Sequence, residues 1–310
     1  MKIQLIGLLF IAAITSCGTD VNKKYNDTTT SGTVAISSDE TLMPLIDAEK
    51  DTFMGLYRYA TLKISHKAES ECFKDLINDS VKVVISTRKL NAAEEGYFKS
   101  RKLIPVTTKI AVDALAILVN KENSDSLIQL ETLKSILDGR ITNWKQINPK
   151  SDLGDISFVF DNNGSSNTRY LQDSLIKGKA FSSNCFAAKS NPDVIKYVKE
   201  HKNAIGVIGV AYISDFDDPT SQQFLSEVKV LDVSTAANPT YPDDYFKPYQ
   251  AYIALGQYPL TREVYMISRE GRSGLGTGFV AFVAGDAGQR IIRLTGLLPA
   301  TMPVRIIQNN

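Results

Sequence analysis

The sequence predicts an α/β fold, and three observations carry the prediction. Short apolar runs alternate with amphipathic stretches from Thr33 to Ala300, the pattern of strands alternating with helices. One run, Ile110 to Asn120, is long and nearly all apolar, and reads as a central strand crossing between two halves of the body. Finally, Phe158-Val159-Phe160 empties into a loop of small hydrogen-bonding residues, Asp161 to Arg169, ahead of the helix-forming Tyr170 to Ile176.

In chain order, Thr33 to Ile36 is a strand followed by the polar turn Ser37 to Thr41. A helix then carries Leu42, Leu45, Ile46 and Phe53; Ser38 or Asp39 caps it, and Pro44 is tolerated in its first turn. Tyr59 to Ile64 is a strand, Phe73 to Ile77 a helix, and Val81 to Ile85 a buried strand ending at Ser86-Thr87-Arg88. Asn91 with Glu94 has the spacing of a capping box. Leu130 to Leu137 reads as a helix closed by Gly139, and Pro192 to Lys202 as another, with His201 at its basic end. Ile205 to Val210, Tyr252 to Leu255 and Val264 to Ile267 read as strands, the last returning the chain to the first half. Gly271 to Gly278 lacks the Gly-Lys-Ser/Thr ending of a phosphate loop and reads as a helix entry.

The N-terminus reads as a targeting segment. Lys2 is followed by the apolar stretch Ile3 to Ile14, then by Thr15-Ser16-Cys17. That is the layout of a secretory signal peptide, and it resembles the lipobox of bacterial lipoproteins, with signal residues 1–16 and Cys17 as the lipidated residue. The stretch is shorter than the about 20 residues of a membrane span. Residues 17–32 are polar and read as a flexible tether.

With 310 residues, 43% hydrophobic, the chain can build one large or two medium domains. A net charge of +1 without basic runs suggests neither nucleic acid nor an acidic membrane face. Neither of the two histidines, His66 and His201, lies near a nucleophile motif, and no cofactor or metal-ligand spacing occurs. Cys72 and Cys185 read either as a bridge or as two buried thiols.

Polar loops at Ser37 to Thr41, Ser86 to Arg88 and Asp161 to Arg169 each follow a strand, where open α/β sheets bind ligands. Backbone amides and hydroxyls there suit an anion; taken alone, the third loop is also explained by Ser165, Ser166 or Asn167 serving as an ordinary N-cap.

Taken together these segments resemble the phosphate-binding receptors of high-affinity phosphate ABC transporters, particularly the lipoprotein forms of Bacteroidota-type bacteria. The resemblance rests on Ser38 to Pro44, Val83 to Leu90, Ile110 to Asn120, Leu130 to Trp144, Ser166-Asn167-Thr168-Arg169, Asn203 to Val210 and Tyr258 to Arg262, in that order. It implies a two-lobe periplasmic-binding-protein fold of type II, with a cleft between lobes joined by crossover strands. One lobe would comprise 33–117 plus 264–310, and the other 118–263. Ser38 and Thr41 would donate to the ligand from the first loop and Thr87 from the second, with Arg88 beside it. Ser165, Ser166 and Thr168 would donate from the third loop, Arg169 would supply the cation, and Asp161 would either accept a proton from hydrogen phosphate or brace its loop. The family's Gly-Ser-Gly loop is replaced here by Lys67-Ala68-Glu69-Ser70-Glu71, and its arginine ahead of the third loop by Asp161, Asn162 and Asn163.

The implied protein is a monomeric, lipid-anchored receptor on the periplasmic side of a bacterial membrane. It would bind inorganic phosphate or a related oxyanion, dock to permease subunits and perform no catalysis. A degenerate receptor fold, serving as sensor or envelope scaffold, is the alternative.

Overall fold

The structure is a computed structural model describing residues 27–303, so the expected signal peptide and lipidation at Cys17 lie outside the described residues. Its strands and helices follow in order as β1 (Gly32–Asp39), α1 (Met43–Leu56), β2 (Ala60–Lys67), α2 (Glu69–Ile77), β3 (Val83–Ser86), α3 (Ala92–Ser100) and β4 (Val106–Asn120). Then come β5 (Leu127–Gln129), α4 (Leu130–Leu137), β6 (Ser157–Phe160), α5 (Ser166–Tyr170), β7 (Cys185–Ala187), α6 (Asn191–Glu200) and β8 (Ala204–Gly209). The remainder is α7 (Pro219–Glu227), β9 (Val228–Val230), β10 (Asp232–Ser234), α8 (Gln250–Ala254), β11 (Thr261–Ser268), α9 (Leu275–Ala284), α10 (Asp286–Leu294) and β12 (Leu298–Pro299).

Two parallel α/β units share one curled sheet of order β2-β1-β3-β11-β4-β8-β6-β7. β1, β2 and β3 run parallel in the first unit, and β6, β7 and β8 in the second. The long strand β4 joins them: Val106 to Ala114 pair antiparallel with β11, and Leu115 to Val119 pair antiparallel with β8. The apolar run dictates this role, because Ala114 to Val119 are wholly buried and each fully buried aliphatic side chain contributes about 1.5–3 kcal/mol. The result is a two-lobe α/β fold in which β1, β3, β6 and β8 all aim their C-terminal ends at the space between lobes.

Local signals behave as their chemistry requires. The side chain of Asn91 accepts from the Glu94 amide at 2.9 Å, and Glu94 returns the bond to the Asn91 amide at 2.8 Å. Asn91→Ala is expected to destabilise the protein by about 1 kcal/mol in urea denaturation. An unchanged midpoint would mean that the Arg88–Glu94 pair, at 2.7 Å, fixes this helix start unaided. Gly139 takes φ +81° after α4, a left-handed closure suited to glycine. The Gly271 to Gly278 stretch is a helix entry whose amides are taken by carboxylates: Leu275 N by Asp27 and Gly276 N by Glu270.

Two expectations change. Tyr252 to Leu255 is not a strand but lies at helix α8, whose buried face is Ile253. Four apolar residues do not define a period, and Leu255 is half exposed just past the helix end. At the body end of the expected tether, residues 27–31 form a turn closed by Thr28 and Ser31 and held to α9 through Asp27. Cys72 and Cys185 are both free, and burial pushes each thiol upward, Cys185 to about 12.

Candidate functional site

β1 ends at Asp39, whose carboxylate accepts from the Thr41 amide at 3.2 Å and from Thr41 Oγ1 at 2.9 Å. Thr41 Oγ1 lies 3.0 Å from Ser166 Oγ, which comes from the other lobe. Arg262 on β11 joins the two: Nη1 donates to Ser166 Oγ at 2.8 Å and Nη2 to Thr41 Oγ1 at 3.1 Å. Its position follows from strand register, since Arg262 stands directly opposite Asp113 on β4. Nε and Nη2 bond Asp113 Oδ2 at 2.9 and 2.7 Å.

All of these side chains are buried; Arg262 is 6% exposed and the others are fully enclosed. Burial, then the charge of Glu69, pushes the Asp39 carboxyl up to about 7 against the pull of Arg262. Burial likewise raises Asp113 despite its ion pair. For Arg262 burial works against the charge, but Asp113 and Asp39 outweigh it and raise the guanidinium.

A second cluster lies at the end of β3. Glu69, the first residue of α2, accepts on Oε1 from Ser86 Oγ at 2.8 Å, Thr87 N at 2.9 Å and Thr87 Oγ1 at 3.0 Å. Arg169, from the opposite lobe, donates its Nε to Glu69 Oε2 and its Nη2 to Thr87 Oγ1 at 2.8 Å. Burial opposes the charge of Glu69. The bond and charge of Arg169, with Ser86 and the Thr87 amide, prevail and hold the carboxyl below its usual range. The lobes also meet where the Ser70 amide donates to the Gly164 carbonyl at 3.1 Å. A Cβ at Gly164 would stand 2.5 Å from Ser70 Oγ, so glycine permits the approach.

The third loop is braced from within. Asp161 accepts from Ser165 Oγ, from Asn167 Nδ2 at 3.2 Å and from Asn191 Nδ2 at 3.3 Å. Ser165 Oγ caps α5 by accepting from the Thr168 amide at 3.1 Å, while Thr168 Oγ1 donates to the Asn162 carbonyl at 2.8 Å. Burial, ahead of the neighbouring carboxylates, raises Asp161 well above its ordinary value. Asn191 closes the loop onto β8 by accepting from Gly209 N at 3.0 Å and onto Glu40 by donating at 2.8 Å.

The structure therefore groups Thr41 with Ser166, and Thr87 with Arg169, across the cleft. Asp161, Ser165 and Thr168 frame their own loop. Ser38 is buried with its hydroxyl on the Asp39 carbonyl at 3.2 Å. Arg88 is turned to α3, paired with both Glu94 oxygens at 2.7 and 2.8 Å and laid 3.4 Å over the Phe73 ring. The histidines stand apart: His66 pairs with Asp47 at 3.2 Å, and His201 stacks on Tyr197.

Sequence reasoning did not assign Arg262, Asp39, Asp113, Glu69 or Asn191. One signal was available: Asp113 is a lone carboxylate inside the apolar run Ala111 to Val119, a placement that demands a buried cation. As a chemical device the site offers hydroxyls, amides and guanidiniums converging between lobes, alongside one carboxyl, Asp39, raised to about 7, an arrangement suited to a protonated oxyanion.

The comparisons agree with this architecture. The chain is 24% identical over 306 residues to the phosphate-binding protein PstS of Borreliella burgdorferi, covering 96% of this chain and 97% of that one. It is 25% identical over 300 residues to the PstS of Staphylococcus saprophyticus, covering 93% and 87%. Among solved structures, a Clostridium perfringens substrate-binding protein with bound phosphate shares the fold at 21% identity and TM-score 0.73, covering 87% of this chain and 100% of that chain. A sequence model of the PBP superfamily domain matches residues 23–287, and the chain belongs to that family.

Proposed function

We propose that the protein is an extracytoplasmic, lipid-anchored receptor that captures inorganic phosphate between its lobes and delivers it to the permease of an ABC transporter. The observation that carries this reading is the buried meeting of Thr41 and Ser166, from opposite lobes, on the guanidinium of Arg262. Relatives bearing the phosphate-binding name align along nearly the whole chain, which supports the same ligand class. The lobes on this reading are 33–117 with 264–310, and 118–263, acting as a monomer. The anchor is the lipid on Cys17; no helix among the described residues is long and apolar enough to cross a membrane. Binding here needs no nucleophile or base, so the protein acts without catalysis.

Asp39 supplies selectivity. In its ionised form the Asp39 carboxylate, whose pKa burial raises to about 7, can accept the proton of hydrogen phosphate, which sulfate cannot offer at neutral pH. Calorimetric titration of the purified protein should give saturable binding of phosphate and arsenate and none of sulfate. Ser166→Ala should weaken phosphate binding by about 1 kcal/mol, roughly fivefold. Silence toward every oxyanion would leave the sensor or scaffold reading, which the charge of Glu69 among the site's donors favours.

A further inference from the structure

We propose that the Glu69 carboxylate is a tethered anion seated in a subsite built by Ser86, Thr87 and Arg169, where it competes with the incoming oxyanion and ties the lobes together. The competition rests on the phosphate reading; the subsite and the tie do not.

The donor set is the reason. Two hydroxyls, a backbone amide and a guanidinium, drawn from β3, the turn after it and α5 in the other lobe, converge on one carboxylate. Arg169 Nη2 reaches Glu69 Oε1 at 3.3 Å and Thr87 Oγ1 at 2.8 Å, so the guanidinium spans the edge of the subsite. Arg88 Nε stands 3.9 Å from the same Glu69 Oε2. An exposed ion pair needs a cation alone, whereas a buried carboxylate must also have its remaining lone pairs hydrogen-bonded. Here Ser86 Oγ, Thr87 Oγ1 and the Thr87 amide all spend their donors on Glu69, as they would on the oxygens of a bound oxyanion. The side chain is 2% exposed, so water does not take over those bonds.

The position of Glu69 also fits a tethered ligand. It begins α2, and the preceding Ala68 offers no side-chain cap. A carboxylate there is favoured by the helix start, and the backbone delivers it to the end of β3 beside the first lobe's other donors. Arg169 belongs to the second lobe, so the pair bridges the cleft. An oxyanion that uses Thr87 and Arg169 must first displace the Glu69 carboxylate. Removing that carboxylate leaves buried donors unpaired, which strengthens the binding of any anion that can reach them.

The test compares the wild-type protein, Glu69→Ala and Glu69→Gln, using two probes at matched ionic strength and neutral pH. The first is inorganic phosphate, followed by calorimetry. The second is acetate, the free counterpart of the Glu69 side chain, followed by thermal melting against a chloride control. Glu69→Ala is expected to bind phosphate at least about tenfold more tightly than wild type. Acetate should raise its midpoint by several degrees while leaving wild type unmoved. Glu69→Gln keeps the volume of the side chain and drops its charge, and should show a smaller gain; it also serves if Glu69→Ala folds poorly. Phosphate affinity equal to or weaker than wild type in both variants, with no response to acetate, overturns the inference and leaves the receptor reading intact. Stabilisation of Glu69→Ala by acetate, with no phosphate binding by any of the proteins, upholds the subsite and removes phosphate as the ligand.

Discussion

Arg262→Met is expected to abolish phosphate binding and to lower stability by about 3–5 kcal/mol. The side chain is enclosed and its charge is matched by Asp113, which is wholly buried opposite it. Asp113 Oδ1 has no hydrogen-bond partner among the described residues, so Arg262 on Oδ2 is its one cation, helped only by the Ala114 backbone. Removing the guanidinium leaves a buried carboxyl without a cation, and deprives the Thr41 and Ser166 hydroxyls of their shared donor. The double replacement Arg262→Met with Asp113→Leu separates the two consequences. Exchanging a buried ion pair for apolar side chains is often neutral or stabilising, so the double variant should recover most of the lost stability. It should recover no binding. Chemical denaturation and calorimetry on the two single variants and the double variant complete the cycle. Phosphate binding of wild-type strength in Arg262→Met would assign the cation role to Arg169 instead.

What the sequence made legible follows the range of the interactions involved. β4 was readable because an apolar run broken only by Asp113 must be buried on both faces. The start of α3 was readable because Asn91 and Glu94 satisfy each other three residues apart. The Asp161 loop was half readable: Ser165 is the ordinary N-cap that short-range chemistry suggests, while its neighbour Ser166 is the one that faces Arg262. Tyr252 to Leu255 was misread because a short apolar stretch serves a helix or a strand equally. The centre of the site was out of reach for a different reason. Arg262 and Asp113 are 149 positions apart and meet only through antiparallel register, which the local text of either strand does not encode. Glu69 stood out as a departure from the family pattern, yet its destination depends on how α2 is set against β3 and α5. Residues that satisfy their own backbone are visible in sequence; residues that satisfy distant ones wait for the fold.

Glu49 should make the protein progressively less stable as pH rises from the carboxylate range toward 9. It lies on α1 with its side chain fully enclosed, and neither carboxyl oxygen has a hydrogen-bond partner among the described residues. Burial alone pushes its pKa from 4.5 to about 9. The folded protein thus holds a proton that the unfolded chain has released, and unfolding in this window sheds that proton. Raising pH therefore favours the unfolded state; the loss begins near the unfolded pKa, grows through the window and levels off above about 9. Asp39 contributes with the same sign, but its share levels off just above its folded pKa of about 7. Glu69 acts oppositely: its depressed pKa gives stability above the ordinary glutamate value that is lost as pH falls through the folded one. Glu49→Met removes the titrating group while keeping an apolar side chain of similar size. It should raise stability at neutral pH by on the order of 3 kcal/mol. It should also flatten the fall between pH 7 and about 9, most clearly in the upper half of that window, where the share of Asp39 has died away. Urea denaturation across that range reads both effects. A slope that survives unchanged in Glu49→Met would show that the proton responsible sits on another group.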